Sequence, residues 1–325
     1  MIDTNKLTII FVHGLASKPA AIDLHRLWKK AFIENIRIDS KTLASKLEVK
    51  PEIFQSAYWA NAIPDHIEDT EDYVTDLNKA VNKVIGIRRR LKNQLHIKKG
   101  GLVTANAKKF GLSIVNTLSS ALTIKDNVIE EFMREVRLYR NDQFIAEQIR
   151  QPLEGILTEA WDKKHKVVLI SHSMGTFISY DVLWKFSHRS EDKYTKYRNN
   201  KVDYFITMGS PLGDEKLRDF MLIERWKKSS ESEHEDEQNR LYPLNIKQWH
   251  NFSAYGDVVC HDSTLEDDFF KGMKEHVKPY RANDLKDYTK LYNPFENIDG
   301  KKNPHKSYGY LVQPKLSEKF KEFMN

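Results

Sequence analysis

The sequence predicts an α/β protein with a mostly parallel central sheet that is flanked by helices. Short runs of β-branched and other apolar residues recur along the chain, and stretches of helical periodicity separate them. These runs are apolar at nearly every position, so both faces of the sheet are expected to be covered. With 325 residues the chain can bury a large core, as one domain with insertions or as two domains.

The elements follow in order from the first apolar run. Strands are predicted at the continuous apolar segments 7–12, 53–59, 167–170, 202–208 and 249–255. Helices are predicted where apolar residues recur at three- and four-residue spacing, at 24–32, 128–161 (one or two helices), 177–186 and 315–324. Strands that alternate with helices are typical of a parallel sheet with helices on both faces.

Residues 166–177 are the most informative stretch. An apolar run leads directly into Ser-His-Ser-Met-Gly, and an amphipathic segment follows, so Ser173 is expected at the apex of a sharp turn between strand and helix. A serine in this strained position needs small residues two positions before and after it, and these are Ser171 and Gly175. The first of them is more often glycine, so Ser171 is a departure from the usual pattern.

A serine nucleophile needs a base within hydrogen-bond reach and a carboxylate that orients the base. Asp257 is the predicted acid, because it lies in a turn after the apolar run 249–255. Asp214, after a Gly-Ser-Pro-Leu-Gly break, and Asp262 are the alternatives. Asp257 could also serve only to cap its turn.

Three histidines follow Asp257 and could supply the base. His305 is preferred, because it lies in a turn-rich loop just before the last helix. His261 is close to Asp257 in sequence, and His276 lies in a charged stretch. The alternative interpretation of His305 is an ordinary histidine of a surface loop.

Two backbone N–H groups must stabilise the oxyanion of a tetrahedral intermediate. One is expected from Met174, after the nucleophile, and the other from Leu15, in the loop after the first strand. Gly14 allows close approach of that loop. His13 and His172 adjoin the site, and we expect them to brace loops rather than to transfer protons.

With these pieces the chain resembles the α/β-hydrolase superfamily, and within it bacterial serine esterases and lipase-like hydrolases. The matching segments are 11–15, 57–60, 171–176, 206–213, Asp257 with the two residues after it, and 303–305. The resemblance implies an α/β-hydrolase fold, a Ser173–Asp257–His305 triad, an acyl-enzyme and no cofactor. We expect hydrolysis of a carboxylic ester, of a lipid or another acyl compound. A thioesterase, a peptidase or an inactive binding protein on the same fold are the alternatives.

An insertion is predicted at 65–141, as a helical cap or lid on a core formed by 1–64 and 142–325. Within it, residues 77–125 carry eleven Lys or Arg and no Asp or Glu, whereas the whole chain has a net charge of +6. Three interpretations are open: a cap with solvated cations, a mobile lid that docks on an anionic membrane, and a nucleic-acid site. Only Phe110 in the segment could stack on a base, so no nucleic acid is expected.

The remaining sequence features bear on the cellular compartment and on other classes of binding site. One cysteine, Cys260, excludes an internal disulfide framework and favours a reducing compartment. No signal peptide and no 18-residue apolar run are found, so a cytoplasmic protein, peripheral at most to a membrane, is predicted. No metal-ligand spacing or nucleotide fingerprint appears. The acidic stretch 229–239 is interpreted as a solvated loop.

Overall fold

Six parallel strands form the central sheet of the computed structural model, which describes residues 2–14, 18–64, 69–95, 134–214, 218, 242–260, 262–270, 273 and 285–325. The strands are β1 (Leu7–Val12), β2 (Phe54–Ala57), β3 (Lys166–His172), β4 (Tyr204–Met208), β5 (Trp249–Ala254) and β6 (Leu285–Leu291). Their spatial order is β2-β1-β3-β4-β5-β6. Every residue of β1 and β4 is buried, as expected for inner strands of a sheet covered on both faces.

The strand order reverses direction beside β1, and this positions the site. From β1 the chain goes outward to β2, returns to β3 on the other side, and then continues to β6. Ligands of open parallel sheets bind outside the carboxyl ends of the strands at such a switch point. His13 and Gly14 follow β1 there, and Ser173 follows β3.

Helices cover both faces of the sheet. The helices are α1 (Ala21–Asp39), α2 (Lys41–Glu48), α3 (Glu71–Leu95), α4 (Gln143–Asp162), α5 (Met174–His188), α6 (Asp192–Thr195), α7 (Ser307–Leu311) and α8 (Pro314–Met324). One hydrophobic core lies between the sheet and α4 and α5, and the second contains α1, α3, α7 and α8. The predicted α/β class with a mostly parallel sheet is therefore confirmed.

Four elements were not predicted, namely β6 and the short helices α2, α6 and α7. The strand β6 reads Leu-Lys-Asp-Tyr-Thr-Lys-Leu, and only its first residue is fully buried, because it lies at the edge of the sheet. An edge strand of this kind lacks the continuous apolar run that identifies the inner strands. The short helix α2 continues from α1 after Ser40, whose hydroxyl accepts a hydrogen bond from the Leu43 N–H.

Helix α3 falls within the predicted insertion and packs against α1. Its apolar face, which includes Val81 and Val84, belongs to the same buried core as α1 and the sheet. Residues 96–133, which include Phe110 and most of the basic segment, lie outside the described residues, so the division at 65–141 stays a prediction. No helix in the described ranges is both long and apolar enough to cross a membrane.

Candidate active site

Ser173 occupies a strained backbone conformation at the junction of β3 and α5. Its φ is +54° and its ψ is −129°, a region that residues other than glycine rarely adopt. The Ser173 N–H donates to the carbonyl of Met208 at the end of β4, over 3.0 Å. Strain of this kind persists where the surrounding structure over-determines it, and it clusters at functional sites.

The residues two positions from Ser173 show why the turn needs small side chains. A Cβ atom on Gly175 would meet the carbonyl of His13 and lie 2.6 Å from that of Val12, so α5 starts against the end of β1. Ser171 is fully buried, and its hydroxyl lies 2.7 Å from that of Ser179, one helical turn and a half into α5. The serine that departs from the usual glycine therefore has its own hydrogen-bond partner.

Three side chains form a continuous hydrogen-bonded chain. The Nε2 atom of His305 lies 2.9 Å from Ser173 Oγ, and its Nδ1 atom lies 2.8 and 2.9 Å from the two carboxylate oxygens of Asp257. The carboxylate fixes the proton on Nδ1, because only an N–H can donate to it. Nε2 is then the acceptor that faces the serine hydroxyl.

Among the described contacts of His305, the carboxylate partner is Asp257, and neither alternative acid is in contact with it. Asp262 accepts hydrogen bonds from the backbone and hydroxyl of Thr264, within its own turn. Asp214 ends the short helical turn that follows Ser210. His261 and His276 lie outside the described residues.

Asp257 is buried and is kept ionised by its neighbours. Burial by itself would raise the pKa of this carboxyl group, but the proximity of His305, the hydroxyl of Tyr310 and the N–H of Val259 outweigh it and lower the pKa below its usual value. Tyr310 donates to Oδ2 over 2.6 Å and accepts from the Ala254 N–H over 2.9 Å. Tyr310 therefore ties the carboxylate to the end of β5.

The loop that carries His305 is held from several sides. The side-chain amide of Asn293 donates to the carbonyls of Pro304 and Lys306, over 2.7 and 3.0 Å. Asn303 accepts the backbone N–H of His305 through its side chain, over 3.0 Å. The imidazole is thus positioned by loop contacts that do not involve Ser173.

His172 and His13 contact backbone groups, as expected for bracing residues. His172 Nε2 lies 2.6 Å from the carbonyl of His305, and burial, followed by the charge of His305, lowers the pKa of His172 well below its usual value. A neutral His172 donates this bond. His13 stacks on Trp59, accepts the Trp59 N–H at Nε2 and donates from Nδ1 to the Gly14 carbonyl.

One of the two predicted oxyanion donors is described. Met174 is the first residue of α5, and the N–H groups of a first helical turn have no acceptor within the helix. Gly14 lies against Ser173, since a Cβ atom on residue 14 would be 2.7 Å from Ser173 Cβ and 3.2 Å from its Oγ. Leu15 lies outside the described residues, so its N–H stays a prediction.

Gly209, which directly follows β4, lies against Asp257 and His305. The sequence analysis did not predict this contact. The φ of Gly209 is +53°, and a Cβ atom would lie 2.9 Å from Asp257 Oδ2 and 3.1 Å from His305 Nδ1. The next residue, Ser210, lies 3.0 Å from the hydroxyl of Thr176 in α5. The sequence analysis gives the segment 206–213 as a strand end and as a match to the superfamily, without a contact to Asp257 or His305.

A pocket of about 150 Å³ opens beside Ser173 and His305. Leu24, Trp28 and Leu77 form an apolar part of its wall. Its other lining residues come from the loops after β1 and β3 and from the His305 loop: Gly14, Lys18, Pro19, His172, Asn303, Lys306, Ser307 and Tyr308.

Tyr310 and Asn293 were also missed as positioning residues. Both are polar side chains close to the last helices. They position the site through contacts with residues 257 and 304–306, which no local sequence pattern reveals.

In the described parts of the chain no three His, Cys, Asp or Glu side chains form a cluster that could hold a metal ion. Cys260 is buried, and burial raises the pKa of its thiol well above the usual value.

Comparison with known proteins gives one match. A family model of lecithin:cholesterol acyltransferase matches residues 135–216, about a quarter of the chain. The matched region contains α4, β3, Ser173, α5, β4 and Gly209. The comparisons with curated proteins and with solved structures found no match. The match supports an α/β-hydrolase of the acyltransferase or lipase type.

Proposed function

Since the chain is a member of the α/β-hydrolase superfamily, we propose that it is a serine hydrolase that cleaves carboxylic esters of lipids or other acyl compounds. The observation that carries the proposal is the unbroken hydrogen-bond chain from Ser173 Oγ through His305 to Asp257. A serine held at φ +54° and aimed at a histidine base has no evident structural purpose.

The geometry supports a two-step reaction. His305 Nε2 takes the proton of Ser173 Oγ while the oxygen attacks the ester carbonyl, and Asp257 stabilises the imidazolium that results. The Met174 N–H stabilises the oxyanion. His305 then protonates the leaving alcohol, and an acyl-Ser173 ester remains.

The second step returns the enzyme to its starting state. An acyl acceptor donates its proton to His305 as its oxygen attacks the acyl-enzyme, and the proton returns to Ser173 when the product leaves. Water as acceptor gives a hydrolase, and an alcohol gives an acyltransferase. The match to the acyltransferase family supports an acyl lipid substrate, and we propose that water is the acyl acceptor.

An active-site probe tests the nucleophile. A fluorophosphonate should label the wild type once by intact mass, and mass spectrometry of the proteolytic peptides should locate the adduct on Ser173. Ser173→Ala should abolish labelling. Ser187→Ala is the matched control, because Ser187 is a buried serine of the same helix whose hydroxyl contacts the Leu183 carbonyl instead of the site.

Folded wild-type protein that does not react with the probe, and does not hydrolyse short 4-nitrophenyl esters, would contradict the proposal. It would favour the alternative of an inactive hydrolase-fold binding protein. A panel of short esters, acyl-CoA, phospholipids and peptides separates an esterase from a thioesterase or a peptidase. Adding a competing alcohol to the same panel separates hydrolysis from acyl transfer.

A further inference from the structure

Two lysines lie among the described residues that line the pocket beside Ser173. They are Lys18 and Lys306, and none of the described lining residues is an aspartate or a glutamate. The two lysines approach from different loops, Lys18 after β1 and Lys306 directly after His305. Both are half-buried, so their charges are less screened than those of fully exposed side chains.

The described contacts of Lys306 leave its charge uncompensated. Its ammonium group donates to the hydroxyl of Tyr73 over 3.1 Å and lies 5.7 and 6.0 Å from the rings of Tyr73 and Phe295. These contacts orient a cation, but none of them supplies an opposite charge. A ligand anion in the pocket would supply it.

The charges of both lysines reach the residue next to the nucleophile. After burial and the charge of His305, they are further causes that lower the pKa of His172. His172 and Ser173 line the pocket together with the lysines. An anionic group in this pocket would therefore lie close to an ester carbonyl attacked by Ser173.

Two further donors belong to the same wall. Trp28 is 2% exposed and Tyr308 is 1% exposed, and neither the indole N–H nor the phenol hydroxyl has a hydrogen-bond partner in the described part of the chain. Both atoms are also closed off from solvent, so a ligand in the pocket does not contact them in this conformation. An indole N–H can only donate.

We propose that the substrate of this site is an ester that carries an anionic group, a carboxylate or a phosphate, and that Lys18 and Lys306 bind this group. The inference rests on the proposed function and names its substrate class. The pocket has a volume of about 150 Å³ and lies beside Ser173 and His305, so we expect the anion-bearing arm of the ester to occupy it.

Matched ester pairs test the proposal and distinguish the source of the anion. The first pair is mono-4-nitrophenyl adipate and its methyl ester, which place or remove a carboxylate on the acyl side. The second pair is 1-butanoylglycerol 3-phosphate and 1-butanoylglycerol, which place or remove a phosphate on the alcohol side. In at least one pair, kcat/KM should be about tenfold or more higher for the anionic member at low salt. The preference should shrink in 0.5 M salt.

The variants separate recognition from structure. Lys306→Gln and Lys18→Gln should each lower the anionic-to-neutral ratio of kcat/KM by about tenfold, while Lys306→Arg should restore most of it. Lys315→Gln is the matched control, because Lys315 pairs with Glu318 on the last helix and does not line the pocket. It should leave both values and their ratio unchanged.

Two failures are distinguishable. Turnover of the neutral esters with no charge preference in either pair would overturn this inference and leave the serine hydrolase intact. A ratio that the lysine variants do not change would overturn it as well. No turnover of any member, together with no probe labelling of Ser173, would overturn the proposed function itself.

Discussion

Replacing Tyr310 with phenylalanine should impair the carboxylate of Asp257 without removing it. The Tyr310 hydroxyl donates to Asp257 Oδ2 over 2.6 Å and accepts the Ala254 N–H over 2.9 Å, and both partners are buried. Phenylalanine keeps the ring and loses both hydrogen bonds. The change therefore tests whether the hydroxyl positions the acid or only fills space.

The structure gives the magnitude. A hydrogen bond to a charged group contributes about 1.5–3 kcal/mol, and an unpaired buried N–H costs about 1–3 kcal/mol. We expect the free energy of unfolding of Tyr310→Phe to fall by about 3 kcal/mol. Since the Tyr310 bond is one of the causes that lower the pKa of Asp257, the pKa of this carboxyl should rise in the variant.

The activity should change in a way that a purely structural residue would not produce. A carboxylate with one donor fewer holds the imidazolium more strongly, so the acid limb of kcat/KM against pH should move to higher pH. The plateau above pH 8 should fall by about tenfold, because Asp257 loses the contact that fixes Oδ2. Hydrolysis of a short 4-nitrophenyl ester between pH 5 and 9 measures both.

Tyr288→Phe is the control for this experiment. Tyr288 lies on β6, away from Ser173, and its hydroxyl has no hydrogen-bond partner within the described ranges. It should retain the wild-type pH profile and stability within about 0.5 kcal/mol. A folded Tyr310→Phe protein with wild-type plateau and acid limb would refute the positioning role.

Two further substitutions and one change of pH should also have measurable effects. Gly209→Ala should lower kcat by at least about a hundredfold, because its Cβ would meet Asp257 and His305 at positive φ, and circular dichroism should show a retained fold. Asn293→Ala should lower kcat by about tenfold with a smaller change in KM, since the His305 loop loses two side-chain hydrogen bonds. Burial, and then the charges of two nearby lysines, lower the pKa of His250 to about 4, so its contribution to stability is complete above about pH 6.5 and declines as the pH falls towards 4. The His250 part of this loss should be at most about 3 kcal/mol, and the difference between wild type and His250→Gln in urea unfolding across this pH range measures it.

The inner sheet, and the residues whose side chains meet at Ser173, could be predicted because both have local sequence signals. The strand β1 was predicted at the bounds found, and β3 to β5 differ from their predictions by one or two residues. Buried parallel strands carry continuous apolar runs, and the order Ser173, Asp257, His305 follows the chain. These signals do not require knowledge of tertiary contacts.

The supporting contacts could not be predicted, because they join distant segments. The hydroxyl of Tyr310 meets a carboxylate 53 residues earlier, and Asn293 meets carbonyls 11 and 13 residues later. No spacing rule connects such pairs. The strand β6 was not predicted for a different reason, because most of its side chains are partly exposed at the edge of the sheet.

Arg88 shows how a charge pattern can mislead. The basic segment 77–125 includes three consecutive arginines at 88–90, which suggested a cationic surface. Arg88, however, is only 2% exposed. Its guanidinium donates to Asn35 Oδ1 over 2.9 Å and to Asp39 Oδ2 over 2.6 Å. Asn35 in turn donates to the carbonyls of Leu311 and Gln313. Arg88 thus connects α3 and α1 to the segment between α7 and α8.

Arg88→Gln should therefore act on stability and should change membrane affinity little. Removing one partner of a buried ion pair costs about 3–5 kcal/mol, and the lower end applies because Asp39 is 22% exposed. Urea unfolding should show this loss, whereas Arg90→Gln, at an exposed neighbouring position, should change stability by less than about 0.5 kcal/mol. Equal unfolding midpoints for the two variants would refute the bracing role. Co-sedimentation with anionic vesicles should therefore compare the wild type with a triple variant that carries Arg90→Gln, Lys98→Gln and Lys99→Gln. A variant that also changed Arg88 could lose binding simply because it unfolds.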